Sequence, residues 1–281
     1  MIELLALYSQ ALISGLLCAV ALAILGCHLA SRDQSLQSLV VSQAATVGVL
    51  FSAAVMLGNH SDITENPIPM ITGVLMATLL YFLGEWLVVG KSASKTSVFL
   101  ALFTIMLALS YWLISFFPAL EGHMSKAFFG DIVTLTGVTL QFTTAVSTIA
   151  LLALLLCWKQ MANHSFIISV IGNAQIGNRG SLHLSNALTL LLISTSIYAM
   201  GLLFTIAYLL LPTVIFSFIR LPSIRLHLLL VTFTAAAGFV FGFILSLYFD
   251  RISTVPTIIL TTACLGVLIQ HAVNKHLHTI K

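Results

Sequence analysis

Residues 186 to 219 read NALTLLLISTSIYAMGLLFTIAYLLLPTVIFSFI, an apolar stretch of 34 residues without a charged side chain. A bilayer core of about 30 Å is crossed by about 20 apolar helical residues, so this stretch is too long for one crossing even with tilt. Gly201 can interrupt a helix through its backbone freedom, and Pro212 because it lacks an amide donor. The stretch therefore predicts two short or broken membrane helices, with the broken segment near residues 198–219.

A break within the membrane has a physical cost that limits where it can lie. Backbone groups freed by a broken helix are tolerated at membrane depth only where they face protein or a water-filled cavity. Two interpretations of residues 198–219 follow. The segment forms a wall of a transport pathway, or the proline kinks the helix and serves packing alone.

The rest of the chain is equally apolar. Of its 281 residues, 59% are hydrophobic and 7% are charged, whereas charged residues make up about 25% of a typical soluble domain. We predict an all-α polytopic transmembrane bundle of about eight to nine passes, forming a single domain over residues 1–281. The apolar runs that define the predicted spans are 5–28, 39–57, 67–88, 96–117, 133–157, 186–202, 203–219, 226–248 and 256–273.

The basic residues predict the orientation, because lysine and arginine accumulate in cytoplasmic loops. With the N-terminus outside, nine of the 11 basic residues fall on the cytoplasmic side, and only Lys126 and Arg251 lie outside. The C-terminus is then cytoplasmic. The first segment lacks the basic region and cleavage site of a secretory signal, so we expect it to stay in the mature protein. The nine cytoplasmic residues are Arg32, Lys91, Lys95, Lys159, Arg179, Arg220, Arg225, Lys275 and Lys281.

Residues 158–185 form the one sizeable cytoplasmic excursion of this topology. Within it, the apolar run 166–171 is followed by Gly172 and Asn173, residues that typically end a helix. A short cytoplasmic helix has two interpretations. It rests on the lipid surface, or it inserts into a partner protein as a coupling element.

Several function classes are excluded by what the sequence lacks. There is no G-x-x-x-x-G-K-[ST] loop for nucleotide, no H-E-x-x-H helix and no G-x-S-x-G turn. The four cysteines are far apart and form no C-x-x-C pair, so neither a zinc site nor a disulfide framework is indicated. The net charge of +3 is spread over short loops and forms no stripe for nucleic acid. We expect a non-catalytic membrane protein without a cofactor.

Three strings resemble the membrane permeases of the zinc, manganese and iron class of ABC importers, the ABC-3 family. They are FFGD at 128–131, GLLFTIAYLLLP at 201–212 with its basic exit at Arg220, and GFILSLYFD at 242–250 followed by Pro256. They occur in the family's order and spacing. The resemblance covers most of the chain.

The resemblance implies a complete transport assembly in the bacterial cytoplasmic (inner) membrane. The chain would be half of a transmembrane dimer, either a homodimer or a heterodimer with a second permease. Two ATP-binding-cassette ATPase subunits would lie below it and an extracytoplasmic metal-binding protein above it, with membrane lipid around it. Residues 163–180 would supply the helix received by the ATPase. The residues implied in that coupling are Phe166, Ile167, Ile168, Val170, Ile171 and Gly172.

The resemblance also shows a departure from the family. The family usually presents an acid and a histidine four residues apart on its second span, one helical turn apart and able to share a cation. In this sequence Leu39 and Gln43 occupy those positions. Leucine cannot bind a metal, and a glutamine carbonyl is a neutral oxygen donor. A partner permease supplies the ligands, the metal passes as a chelate, or other residues have taken over.

Two residues are our candidates for the pathway. Gln43 occupies the family position and lies in a polar cluster with Ser42 and Thr46, a cluster that either lines a pathway or bonds a neighbouring helix. Glu85 is the only acid within an apolar span, and an acid near mid-bilayer costs about 2.5–3.5 kcal/mol. It faces a pathway or a partner, or it reaches the interface or pairs with Lys91.

The outer loops carry residues that suit cation capture before entry, since imidazole and carboxylate groups bind zinc or manganese. The alternative for the first three is a solvated loop, and for the last an N-terminal helix cap. These residues are His60, Asp62, Glu65, His123 and Asp131.

The sequence therefore predicts the permease subunit of an ATP-driven importer for a divalent transition metal or its chelate. The alternative is a secondary transporter or channel for a small cation that works without an ATPase. Such proteins show intramembrane ionisable residues and inverted repeats. One such acid and no obvious repeat favour the importer.

Overall fold

The computed structural model of the chain describes residues 8–58, 68–88, 94–130, 137–163, 179–219, 221–249 and 252–279. These residues form ten α-helices and one short 3-10 helix, and contain no strand. The predicted all-α bundle is confirmed. The helices are α1 Ser9–Ser31, α2 Ser35–Gly58, α3 Ile68–Val88, α4 Lys95–Phe116, the 3-10 helix Pro118–Leu120, α5 Glu121–Phe129, α6 Gly137–Leu156, α7 Arg179–Met200, α8 Leu202–Ser217, α9 Ile224–Tyr248 and α10 Thr254–Thr279.

The helices account for the predicted membrane passes. Seven of them, α1 to α4, α6, α9 and α10, are long and apolar enough to cross a bilayer. The two shorter apolar helices, Leu184–Met200 and Leu202–Ser217, occupy the sixth and seventh predicted spans. The long stretch 186–219 is thus divided into two helices, as its length requires.

The division falls at a single residue. Gly201 separates α7 from α8 and has φ 86°, a left-handed conformation that glycine adopts at little cost. Pro212 lies inside α8, which continues to Ser217. The break predicted within 198–219 is therefore produced by the glycine, while the proline is accommodated in the helix.

The helices pack around two main apolar cores, and α2 and α3 contribute residues to both of them. In the first, α1 packs against α6, α8 and α9, and its Leu22 and Leu25 share a buried cluster with Tyr208 of α8 and Phe239 of α9. In the second, α2 packs against α3, α4 and α7. Val47 and Leu50 of α2 there join Leu80 of α3 and Phe99 of α4 in a second cluster. Most of α2 is buried inside this one chain.

Glycines allow several of these helices to approach closely. A Cβ atom on Gly238 of α9 would lie 2.6 Å from the Thr262 Cα of α10, and one on Gly242 would lie 2.5 Å from the Ile258 Cα. Small residues four apart permit this close packing of membrane helices. The α9–α10 pair is accordingly among the most closely packed in the bundle.

The outward faces of the bundle are apolar. On α3, the side chains of Leu75, Leu79, Phe82 and Trp86 are each at least 60% exposed. On α9, Leu229 and Phe241 are similarly exposed. Such continuous apolar surface requires lipid or another membrane helix as its cover.

Candidate functional site

Gln43 lies on α2 inside the second core and is completely buried. Its Nε2 donates a hydrogen bond of 3.0 Å to the Ser110 hydroxyl of α4, and that hydroxyl donates to the Met106 carbonyl at 3.1 Å. The Gln43 Oε1 has no hydrogen-bond partner among the described residues. Rotation of the amide would exchange its two atoms, so one polar atom stays unpaired in either orientation.

The other polar residues around Gln43 bond within their own helix. Ser42 donates to the Ser38 carbonyl at 2.8 Å, and Thr46 donates to the Ser42 carbonyl at 3.1 Å. Both hydroxyls therefore donate to backbone carbonyls of α2 itself, as serine and threonine commonly do in membrane helices. Leu39, one turn before Gln43, is partly buried. The side-chain atoms here that could bind a cation are neutral oxygens, one from an amide and the others from hydroxyls.

Glu85 lies near the end of α3 and has two partners. Its Oε1 accepts a hydrogen bond of 2.9 Å from Gln37 Nε2 of α2 and forms an ion pair of 2.9 Å with Lys95 Nζ at the start of α4. The side chains of Glu85 and Lys95 are 35% and 43% exposed. The carboxylate thus joins three helices at one end of the bundle. Lys91, the partner considered from the sequence, lies outside the described residues.

A second polar group lies at the same end of the bundle and was not recognised in the sequence. Arg32, between α1 and α2, is only 6% exposed, and its Nη1 donates to the Ser185 hydroxyl of α7 at 3.0 Å. Burial lowers the pKa of the Arg32 guanidinium from its ordinary value. The neighbouring Asn186 donates from Nδ2 to the Tyr81 hydroxyl of α3 at 2.6 Å. Ser185 and Asn186, which are adjacent on α7, therefore connect this helix to the α1–α2 connection and to α3, respectively.

The three strings singled out in the sequence meet in space. Gly130, which ends the described part of the first string, packs backbone against backbone with Gly201 of the second string. Tyr208 of the second string shares a hydrogen bond of 2.8 Å with Thr262 of α10. Gly242 of the third string packs on Ile258 of the same helix. The described residues of the strings therefore contribute contacts between helices.

Most of the other candidate residues lie outside the described part of the chain. These are His60, Asp62, Glu65 and Asp131 of the outer loops, together with the coupling residues Phe166 to Gly172. His123 belongs to α5, but its side chain is outside the description. Among the residues that are described, no three His, Cys, Asp or Glu side chains are placed to hold a metal ion.

The comparison with protein families decides the class of this bundle. The model of the ABC 3 transport family matches residues 5–272. This chain belongs to the ABC 3 transport family. The resemblance drawn from the three strings is thereby confirmed, and the ABC 3 chain is a multi-span membrane permease.

A solved structure supports the same fold. The ABC 3 chain is similar to PsaBC from Streptococcus pneumoniae, solved in complex with Fab, with a TM-score of 0.76 and 20% sequence identity. The alignment covers 96% of this chain and 93% of that one. At this identity the likeness establishes the fold alone. No curated protein matches the ABC 3 chain.

Proposed function

We propose that this ABC 3 chain is the permease subunit of an ATP-driven importer, and that it forms half of the pathway for zinc, manganese or iron, or for a chelate of such a metal. The observation that carries the proposal is the family match over residues 5–272 on a bundle with seven long and two shorter apolar helices. A second permease half would complete the pathway, and outward apolar faces such as that of α3 would be covered by that half or by lipid.

The pathway residues we propose are Gln43 and Glu85. Support for Gln43 comes from its buried Oε1, which has no hydrogen-bond partner in the described structure. A passing cation or its hydration water would give this acceptor a partner. An amide oxygen and the Ser110 hydroxyl suit manganese and other hard cations better than zinc, which prefers imidazole and thiolate. A chelate, or ligands from a partner permease, would also fit this neutral surface.

The orientation and partners complete the proposal. We place the N-terminus outside and the C-terminus in the cytoplasm of a bacterial cytoplasmic membrane. The polar contacts of Glu85 and Arg32 then lie at the cytoplasmic end. Residues 158–185 would couple the permease to two ATPase subunits, through Phe166 to Gly172. The outer-loop residues His60, Asp62, Glu65, His123 and Asp131 would capture the metal at the outer face, where an extracytoplasmic metal-binding protein would dock.

The deciding experiment is metal uptake by the intact assembly. Cells that express the chain with a partner ATPase and an extracytoplasmic metal-binding protein should accumulate radioactive zinc, manganese or iron. A substitution that abolishes ATP hydrolysis in the ATPase should stop uptake while the permease stays in the membrane. Uptake that continues without ATP hydrolysis would contradict the proposal and would favour the secondary transporter or channel.

A further inference from the structure

A cavity of about 350 Å³ lies at one end of the helices that pack around the first core. It is bounded by the last turn of α1, the residues just after α6, the end of α8 and the start of α9, with Cys27, Trp158, Thr213 and Leu228 among its lining residues. This volume falls within the range of about 300–1,000 Å³ that is typical of ligand sites. No element of the proposed pathway uses it.

The lining combines apolar walls with a few neutral polar groups. The His28 ring lies against Trp158 with ring centroids 5.3 Å apart, and His227 of α9 lines the cavity as well. The Cys27 thiol and the Thr213 hydroxyl are 3.4 Å apart and share a hydrogen bond. This is the composition of a site for an amphiphile, with aromatic and aliphatic walls and a small number of hydrogen-bonding groups.

Three potential metal ligands line the cavity, namely Cys27, His28 and His227. Within the described ranges, however, no group of three His, Cys, Asp or Glu side chains is placed to hold one ion. Three potential ligands that share a cavity without converging on one point do not make a transition-metal site. The described lining therefore does not form a transition-metal site.

Charged residues flank the cavity walls in the sequence. Lys159 follows the lining residue Trp158, Arg225 follows the lining residue Ile224, and both basic side chains are exposed. No Asp or Glu occurs in the sequence between Asp131 and Asp250, the stretch that supplies three of the four walls. On the remaining wall, Asp33 is the nearest acid along the chain, and it is preceded by Arg32. The sequence next to the cavity walls therefore has more basic than acidic residues.

We propose that this cavity binds an anionic phospholipid of the cytoplasmic leaflet. The apolar walls receive the acyl region, His28, His227 and Thr213 face the ester and glycerol oxygens, and Lys159 and Arg225 neutralise the phosphate. Basic residues beside pockets between membrane helices bind anionic headgroups in this way. The inference rests on the orientation given under the proposed function, and it adds a lipid site away from the pathway.

The test measures lipid retention by the full-length chain purified in mild detergent, with native mass spectrometry as the readout. Phosphatidylglycerol, phosphatidylcholine and inorganic phosphate are added separately. Phosphatidylglycerol should be retained in preference to phosphatidylcholine. Lys159→Gln and Arg225→Gln should each weaken that retention by about fivefold, the effect of one basic residue near an anionic lipid. Lys275→Gln, which removes a charge from an exposed part of α10, should leave it unchanged.

Filling the cavity provides a second arm. Ala30 lines the cavity and is itself exposed, so Ala30→Trp should block retention without disturbing a core. Leu268→Trp, at an exposed position of α10, is the matched control. Equal retention of the two lipids, displacement of phosphatidylglycerol by inorganic phosphate, or unchanged retention in Ala30→Trp would each overturn the proposal. Because the assay needs neither ATPase nor transport, its failure is distinguishable from failure of the importer proposal.

Discussion

Gly130 and Gly201 pack directly against each other, so that a Cβ atom built on Gly201 would lie 2.8 Å from the Gly130 Cα. Both residues have positive φ, 67° and 86°. One precedes α6 and the other joins α7 to α8. Two of the strings that characterise this ABC 3 chain are therefore linked by a contact that only glycine permits.

Gly201→Ala is expected to destabilise the bundle for two separate reasons. At φ 86° and ψ 165° the Gly201 backbone lies in a region nearly restricted to glycine, which costs another residue about 1–3 kcal/mol, and the added methyl group meets the Gly130 backbone. The midpoint of thermal unfolding in detergent should fall clearly below that of the wild type. An unchanged midpoint would show that the contact can yield.

Two other glycines separate these contributions. Gly137→Ala also places a side chain at a positive φ, 59°, but its Cβ would meet no described residue within 4 Å. Gly122→Ala, at a helical position where the described residues also leave space for a Cβ, carries neither cost. The expected order of stability is therefore Gly122→Ala highest, Gly137→Ala intermediate and Gly201→Ala lowest.

Gln43→Met tests the pathway role of Gln43 without harming the fold. The lost hydrogen bond to Ser110 is worth about 0.5–1.5 kcal/mol, and a buried acceptor without a partner costs about 1–3 kcal/mol. Stability should therefore be unchanged or slightly raised, whereas metal uptake should fall. Ser42→Ala is the control on the adjacent residue, whose hydroxyl bonds its own helix. Normal uptake by a well-expressed Gln43→Met protein would remove Gln43 from the pathway.

Glu85→Gln and Lys95→Gln distinguish a structural ion pair from a pathway acid. Because both side chains are more than a third exposed, each single change should lower the free energy of unfolding by less than about 1 kcal/mol. The loss in free energy of unfolding of the double variant should not exceed the sum of the losses of the two single variants. If Glu85 lines the pathway, Glu85→Gln lowers metal uptake and Lys95→Gln does not. If Glu85→Gln and Lys95→Gln transport the metal equally well, Glu85 has a structural role and no role in the pathway.

Ser185→Ala addresses the buried contact with Arg32. The loss of one partner of a buried charged donor costs about 1–3 kcal/mol, so unfolding should shift to lower temperature. Since Ser185 is the last residue of the predicted coupling segment 158–185, we also expect less metal transported per ATP hydrolysed in the reconstituted assembly. Ser217→Ala removes a hydroxyl that bonds the Val214 carbonyl of its own helix, and should change neither quantity. A normal transport ratio in Ser185→Ala would restrict the contact to stability.

The passes could be predicted from the sequence because lipid demands length and apolarity from every crossing helix. The break near Gly201 could be predicted for the same reason, because residues 186–219 are too many for one membrane crossing. The pairing of helices could not be predicted in this way. Lipid tails are as apolar as a protein core, so a helix such as α3 shows no polar face that reveals which side is buried.

The polar contacts show the same limit. Lys91 was considered as the partner of Glu85 because it is near in sequence, whereas the described contact of Glu85 is with Lys95 at the start of the next helix. Ser110, Ser185 and Asn186 became relevant only through contacts that span 67, 153 and 105 residues. No local pattern carries such information. The roles of Gln43 and Glu85 in transport remain predictions.

The geometry of α7 has a mechanical consequence. From Ser185, which bonds Arg32, to Met200, which adjoins the Gly130 contact, α7 rises about 22 Å over 15 residues. A single residue, Gly201, joins α7 to α8 and packs on Gly130, so no longer loop lies between the two helices. A tilt imposed on α7 near Ser185 would therefore also displace its other end, at the Gly130 contact.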